Sequence, residues 1–166
     1  MGNMHSARDI VDLHREGRDL ARLIDVYENN FVRLERLIPE LDDIDGNVVS
    51  SVSGALDLYL SIYDRTRYTT TMGLTYRFAD GVSVLLEPHA RIRVYHDVRA
   101  VELLSHTRRR RSRQVRPWRP GRRPELDRKW EMNRFLQKWL GFCHRQGHLF
   151  LACTARTVDA ELLELV

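Results

Sequence analysis

From Leu56 to His106 an apolar side chain returns at every second position over most of the length, which is the period of a strand and not of a helix. Successive strand side chains leave opposite faces, so Leu56, Leu58, Leu60 and Ile62 share one face while Asp57, Tyr59, Ser61 and Tyr63 share the other. Asp64 to Thr66 supplies a turn. The next run sets Tyr68, Thr70, Met72, Leu74, Tyr76 and Phe78 against Arg67, Thr69, Thr71, Thr75 and Arg77, and β-branched threonines suit a solvated sheet face. Asp80-Gly81 is a hairpin signal before Val82, Val84 and Leu86. From Pro88 to His106 the alternation reads as one long strand, with Ile92, Val94, His96, Val98 and Ala100 inward and Arg91, Arg93, Tyr95, Asp97 and Arg99 outward. Connections this short make consecutive strands antiparallel neighbours, so a meander of four strands is expected, with Val48 to Ser53 as a weak fifth.

On either side of this block the period changes to that of a helix. Leu20, Ile24, Tyr27, Phe31, Leu34, Ile38 and Leu41 are spaced by alternate fours and threes, the apolar seam of an amphipathic helix. Pro39 disfavours helical geometry at Ile38, so the helix is predicted to end there, with Asp42 to Asn47 turning the chain. Packing on the chain's own sheet is the favoured use of the seam; pairing with a second copy is the other. Near the C-terminus Leu126, Trp130, Asn133, Leu136, Leu140 and Cys143 mark one side of a second helix, widened by Met132, Phe135 and Trp139. Glu125 and Asp127 suit its first turn, and Gly147 its end. His148 to Cys153 is read as a last strand. The fold class is therefore α+β: an antiparallel β-meander of four to five strands packed with an N-terminal and a C-terminal amphipathic helix.

The 166 residues suffice for one self-supporting domain. The expected division is a polar lead-in over 1–18, an α+β domain over 19–153 and a C-terminal tail over 154–166, whose AELLELV looks helical. Met1-Gly2 with Ser6 fits the short N-myristoylation pattern, which chance often produces. No apolar run approaches the roughly 18 residues of a membrane span, and the N-terminus lacks the apolar core of a secretory signal. With two cysteines, Cys143 and Cys153, a disulfide framework is not expected either, and the cytoplasm is the expected compartment.

Net charge is +4, and it is concentrated: Arg108, Arg109, Arg110, Arg111, Arg113, Arg116, Arg119, Arg122 and Arg123 crowd one segment, without which the chain would be net acidic. Pro117, Pro120, Pro124 and Gly121 exclude helix and central strand there, so 107–124 is predicted to be a basic loop. On the sheet face turned from the helices the alternation places Tyr59, Tyr63, Arg67, Arg77, Arg91, Arg93, Tyr95 and Arg99. Aromatic rings among arginines stack bases while the cations track phosphates. With Arg108, Arg109, Arg110, Arg111, Arg113, Arg116 and Arg119 they form the candidate surface for nucleic acid or another polyanion. The bland reading is ordinary cross-strand packing, with Asp57 and Asp97 neutralising part of the charge.

No catalytic motif stands out. His96 and Asp97 are adjacent, and adjacent strand side chains point apart, so the carboxylate cannot orient its neighbour's imidazole; a buried, hydrogen-bonded histidine is the better reading. Cys143, His144, His148 and Cys153 are metal-ligand types at a spacing no common zinc site uses. Asp42, Asp43 and Asp45 lack the distant glutamate of a calcium loop. Trp130, Phe135 and Trp139 read as core. No cofactor, metal or catalytic residue is assigned.

Four separated segments carry a family resemblance: YENNFVRLERLIPEL in the first helix, TRYTT in the third strand, RVYHD in the long stretch and DRKWEMNRFLQKWLGFC in the second helix. In order from Tyr27 to Gly147 they resemble the YqiB-like proteins, small bacterial proteins catalogued as a domain of unknown function. The resemblance implies a bacterial cytoplasmic protein without assigned catalytic residues. This chain departs from it in its arginine-rich loop, lead-in and tail. The expected function is a non-enzymatic binding or regulatory module. The alternatives are a protein–protein adaptor or homodimer built on the first helix, and an enzyme around His96.

Overall fold

The computed structural model describes residues 7–79, 84–107, 124–154 and 156–159. Helix α1 runs from Ala7 to Leu37, beginning well before the apolar seam that signals it. From Asp19 onward, where its side chains are described, its buried positions are Leu23, Val26, Asn30, Leu34 and Leu37, whereas Leu20 and Ile24 are 51% and 46% exposed. The face that packs is therefore turned from the one the spacing from Leu20 picks out, and the two merge only near Leu34. The helix stops where Pro39 requires: the last helical hydrogen bond is Ile38 N–H to Leu34 O, 2.7 Å. A 3₁₀ turn over Leu41–Asp43 follows.

Among the described residues seven strands form one antiparallel sheet: β1 (Asn47–Ser50), β2 (Leu58–Arg65), β3 (Thr69–Ala79), β4 (Val84–Leu86), β5 (His89–Tyr95), β6 (Ala100–Thr107) and β7 (Arg156–Thr157). The order is β6-β5-β3-β2-β1-β7, with β4 beside the far end of β3. The α+β class holds; the strand count and several boundaries differ. Val84, Leu85 and Leu86 pair with Ala79, Phe78 and Arg77, and His89 to Tyr95 continue along the same strand, so β4 and β5 are one line interrupted at Glu87-Pro88. Proline has no N–H to give the ladder there.

The stretch from Pro88 to His106 is a hairpin, not one strand. The predicted alternation holds up to Tyr95, with Ala90, Ile92 and Val94 buried and Arg91 exposed. His96 to Arg99 then turn the chain, Tyr95 pairs with Ala100, and Val98 is 62% exposed rather than inward. Arg99 takes a left-handed φ of 50°. A four-residue turn inside an unbroken polar and apolar alternation has no glycine or proline to mark it. At the other end of the sheet β7 pairs with β1 through Val48 and Val49, so the closing strand lies in what reads as tail, and His148 to Cys153 are not a strand. Arg108 to Arg123, Met1 to Ser6, the Asp80-Gly81 signal and the AELLELV tail lie outside the described residues.

Helix α2 (Pro124–Arg145) packs against α1, and both lie against β6. Leu58, Leu60, Met72, Leu74 and Ile92 meet Leu34, Leu37, Leu136 and Leu140 in one core. Each such side chain contributes about 1.5–3 kcal/mol when fully buried. Asn133 crosses the seam between layers: its Oδ1 accepts the Leu103 N–H at 2.8 Å, while Asn30 donates to the Asn133 carbonyl at 3.2 Å. An edge strand is thereby covered by a helix and its free N–H satisfied. Gly147, at φ 89°, closes α2 with His148 N–H on Cys143 O and Gly147 N–H on His144 O, the Schellman pattern.

Candidate functional site

The sheet face turned from the helices is organised by Tyr63. Ile62 pairs with Met72 and Asp64 with Thr71, which leaves Tyr63 as the extra residue of a β-bulge, and a bulge re-aims the side chain it carries. The ring lies across Gly73, where a methyl group would overlap its hydroxyl. The hydroxyl shares a 3.3 Å hydrogen bond with His89 Nε2, and the Arg91 guanidinium stands 5.5 Å above the ring centroid. Burial raises the Tyr63 phenol and Arg91 partly offsets it. Burial, reinforced by Arg91, lowers His89. Arg93 donates from Nε to Thr71 Oγ1 at 3.3 Å. Arg77 Nε and His89 Nδ1 are buried without a hydrogen-bond partner. Among the described residues the ion pairs are Arg22–Asp19, Arg65–Asp45, Arg99–Glu35 and Lys129–Glu102; Arg93 also hydrogen-bonds Tyr95 and stands opposite Glu102 in the β5–β6 ladder.

Several expected members of this face stand elsewhere. Tyr59 is on the right side but only 7% exposed, so no base can stack on it. Arg67 lies in the β2–β3 turn, over the Tyr68 ring at 5.2 Å. Arg99 turns to α1, where it pairs with Glu35 at 3.3 Å and covers the Phe31 ring at 4.7 Å. Tyr95 donates to Glu102 Oε2 at 3.1 Å. Glu102 also takes Tyr27 from α1 and Lys129 from α2, so this corner of the sheet is bound into the helix layer. Desolvation, with Glu102 adding to it, raises both Tyr27 and Tyr95. Of the residues expected on this face, Tyr63, Arg91 and Arg93 remain together, whereas Arg77 lies on the same face four residues beyond Gly73, where β3 pairs with β4. Gly73 and His89 join them unanticipated, although a glycine inside a threonine-rich strand is a recognisable sign of close approach. Arg108, Arg109, Arg110, Arg111, Arg113, Arg116 and Arg119 lie outside the described residues. They follow directly on Thr107, which pairs with His89 at this end of the face.

His96 is half-buried, not core, and its Nε2 meets Thr70 Oγ1 at 2.8 Å. It borders a hollow of about 240 Å³ with Glu35, Glu40, Asp42 and Asp43. Glu40 accepts the Ala152 N–H and Glu35 holds Arg99. Among the described residues no three metal-ligand side chains converge. Cys143 is buried beneath the Tyr76 hydroxyl at 3.4 Å, and burial pushes its thiol up to about 11. His148 meets Ser50 Oγ at 3.1 Å, and Cys153 is exposed. No described helix is long and apolar enough to cross a membrane.

Fold and site together define a small α+β protein whose antiparallel sheet carries two helices on one side and a tyrosine-centred basic patch on the other. The chain belongs to the family described as "Protein of unknown function (DUF1249)", which matches residues 33–149. It is 30% identical over 129 residues to the uncharacterized protein YqiB of Escherichia coli strain K12, covering 78% of this chain and 91% of that protein. The same figures hold for YqiB of Escherichia coli O157:H7. No solved structure matches.

Proposed function

We propose that this is a non-enzymatic bacterial cytoplasmic protein that binds single-stranded nucleic acid, or another extended polyanion, on the Tyr63–Arg91 face. The observation that carries the reading is the half-exposed Tyr63 ring with the Arg91 guanidinium over it and His89 on its hydroxyl, and Arg93 two residues further along the same strand face. Tyr63, 46% exposed, offers a ring to a base while the arginines meet phosphates. The arginines Arg108 to Arg119, outside the described residues, follow Thr107 in the chain and belong to the proposed surface on sequence alone. Fluorescence anisotropy of a labelled single-stranded RNA, with inorganic polyphosphate as a second ligand, tests it at two salt concentrations. Binding that weakens with salt and is lost in Arg91→Ala/Arg93→Ala supports the reading, and absence of binding to both ligands at low salt removes it.

The second reading is an adaptor or homodimer built on α1. It rests on Leu20 and Ile24, one turn apart and both about half exposed on a helix that starts at Ala7. Sedimentation velocity of the wild type and of Leu20→Glu/Ile24→Glu decides it: a monomer in both cases ends the homodimer reading.

A further inference from the structure

The last strand of the sheet delivers an acidic segment to the edge of the basic face. β7 pairs with β1 through Arg156–Val49 and Thr157–Val48, and the Val158 N–H reaches Asn47 O at 3.0 Å. Residues 159–166, DAELLELV, follow, with carboxylates on Asp159, Glu161 and Glu164 and no basic side chain. We infer that this tail crosses the sheet face turned from the helices and occupies the Tyr63–Arg91 patch in place of a polyanion; its regulatory role rests on the reading of that patch as a polyanion site.

Register sets where the tail starts. Asn47 pairs with Ser61, Ser61 with Gly73 and Gly73 with Arg91, so the four stand in one row across the sheet. Val48 belongs to the core on the helix side, so Asn47 beside it faces the other way. The chain therefore leaves β7 level with Gly73, over which the Tyr63 ring lies, and with Arg91, whose guanidinium stands over that ring. At roughly 4.8 Å per strand, Gly73 is about 14 Å from Val158 and Arg91 about 19 Å. An extended chain at roughly 3.3 Å per residue covers about 10 Å to Glu161 and about 20 Å to Glu164, which places Glu161 just before the Tyr63 ring and Glu164 level with Arg91. As a helix, residues 160–166 would rise only about 10 Å and stop short of the patch, but so few residues are marginal as an isolated helix in water.

Charge and apolarity both match. Arg91 and Arg93 project from one side of β5, and a carboxylate on either makes a charge-assisted hydrogen bond. Tyr63 is 46% exposed, and Leu162 and Leu163, between the two glutamates, supply apolar partners for its ring. Between separate molecules such a contact is weak. Tethered to β7, the tail acts at an effective concentration on the order of millimolar, the regime of short linkers.

The chain has two lysines, Lys129 and Lys138, both on α2. In Arg91→Lys a carbodiimide should therefore form a new amide from position 91 to Glu161 or Glu164 within one chain, found by peptide mass spectrometry, with Lys129 and Glu102, 3.1 Å apart, as the positive control. Glu161→Gln/Glu164→Gln should bind inorganic polyphosphate about tenfold more tightly than the wild type, as for a patch that the tail leaves open about one-tenth of the time. Absence of the position-91 link, or a link found only in covalent dimers, overturns the proposal, and so does equal polyphosphate binding by the two proteins. If the link forms and neither protein binds polyphosphate at all, the tail contact stands and the polyanion reading of the patch falls.

Discussion

At Gly73 a missing side chain does the positioning. Gly73→Ala places a methyl group where the Tyr63 hydroxyl lies, and the ring is the part free to move. Displacing it breaks the contact with His89 and uncovers Arg91. The expected outcome is a folded protein with weakened RNA binding, read by circular dichroism and anisotropy on the same sample; wild-type affinity would remove Tyr63 from the interface. His148 acts on stability instead. Burial, against smaller contributions from Ser50, Asp57 and Leu56, lowers its folded pKa below the ordinary value of about 6.5. The unfolded chain therefore takes up the proton first, and the stability His148 contributes is present above about pH 6.5 and falls away below it. In denaturant titrations between pH 7 and 5, His148→Gln should flatten the slope by up to about 1.4 kcal/mol per pH unit. His89, also lowered by burial, keeps a residual slope of the same sign.

Between elements, the clearest brace is Arg65. Its guanidinium donates to the carbonyls of Leu41, Asp42 and Ile44 and to Asp45, all at 2.8 to 3.0 Å, and so ties the end of β2 to the turn that leaves α1. Asp45 is largely exposed, so the ion pair contributes little and the carbonyls matter more. Arg65→Ala should lower stability by about 2–3 kcal/mol, measured by chemical denaturation, through loss of charged hydrogen bonds to carbonyls. Arg65→Lys should recover little, because an ammonium cannot fork to four acceptors in two directions. A loss below about 0.5 kcal/mol, the size of an ordinary surface change, would show that the turn stands without it.

For the whole molecule, two helices on one side of a sheet leave the other side to the cations of Arg77, Arg91 and Arg93. If that side carries nucleic acid, log affinity should fall linearly with log salt, at a slope of about 0.7 per single-strand phosphate neutralised. Replacing Arg91 or Arg93 by alanine should each reduce that slope by somewhat under one unit, whereas Arg99→Ala, whose side chain is engaged by Glu35 and Phe31, should leave it unchanged. A slope that responds equally to Arg99 would move the interface to the α1 edge.

The period of two made the sheet, the helix period made both helices, Pro39 and Gly147 marked where they end, and four quoted segments carried the family; these depend on neighbours in the chain, whereas the start of α1 at Ala7, inside what reads as a polar lead-in, was not marked. Local rules also placed Arg91, Arg93 and Tyr63 on one face, since alternation is a property of the strand itself. What lay beyond them was set by partners distant in sequence. The bulge that lays Tyr63 over Gly73 is a mismatch between two strands, the turn at His96 to Arg99 is held by the pairing of Tyr95 with Ala100, and Arg99 swings to α1 because Glu35 and Phe31 receive it. The buried face of α1 belongs to the same group. A periodicity shows that a helix has an apolar side, but which of two adjacent apolar ridges is covered depends on where α2 and β6 stand.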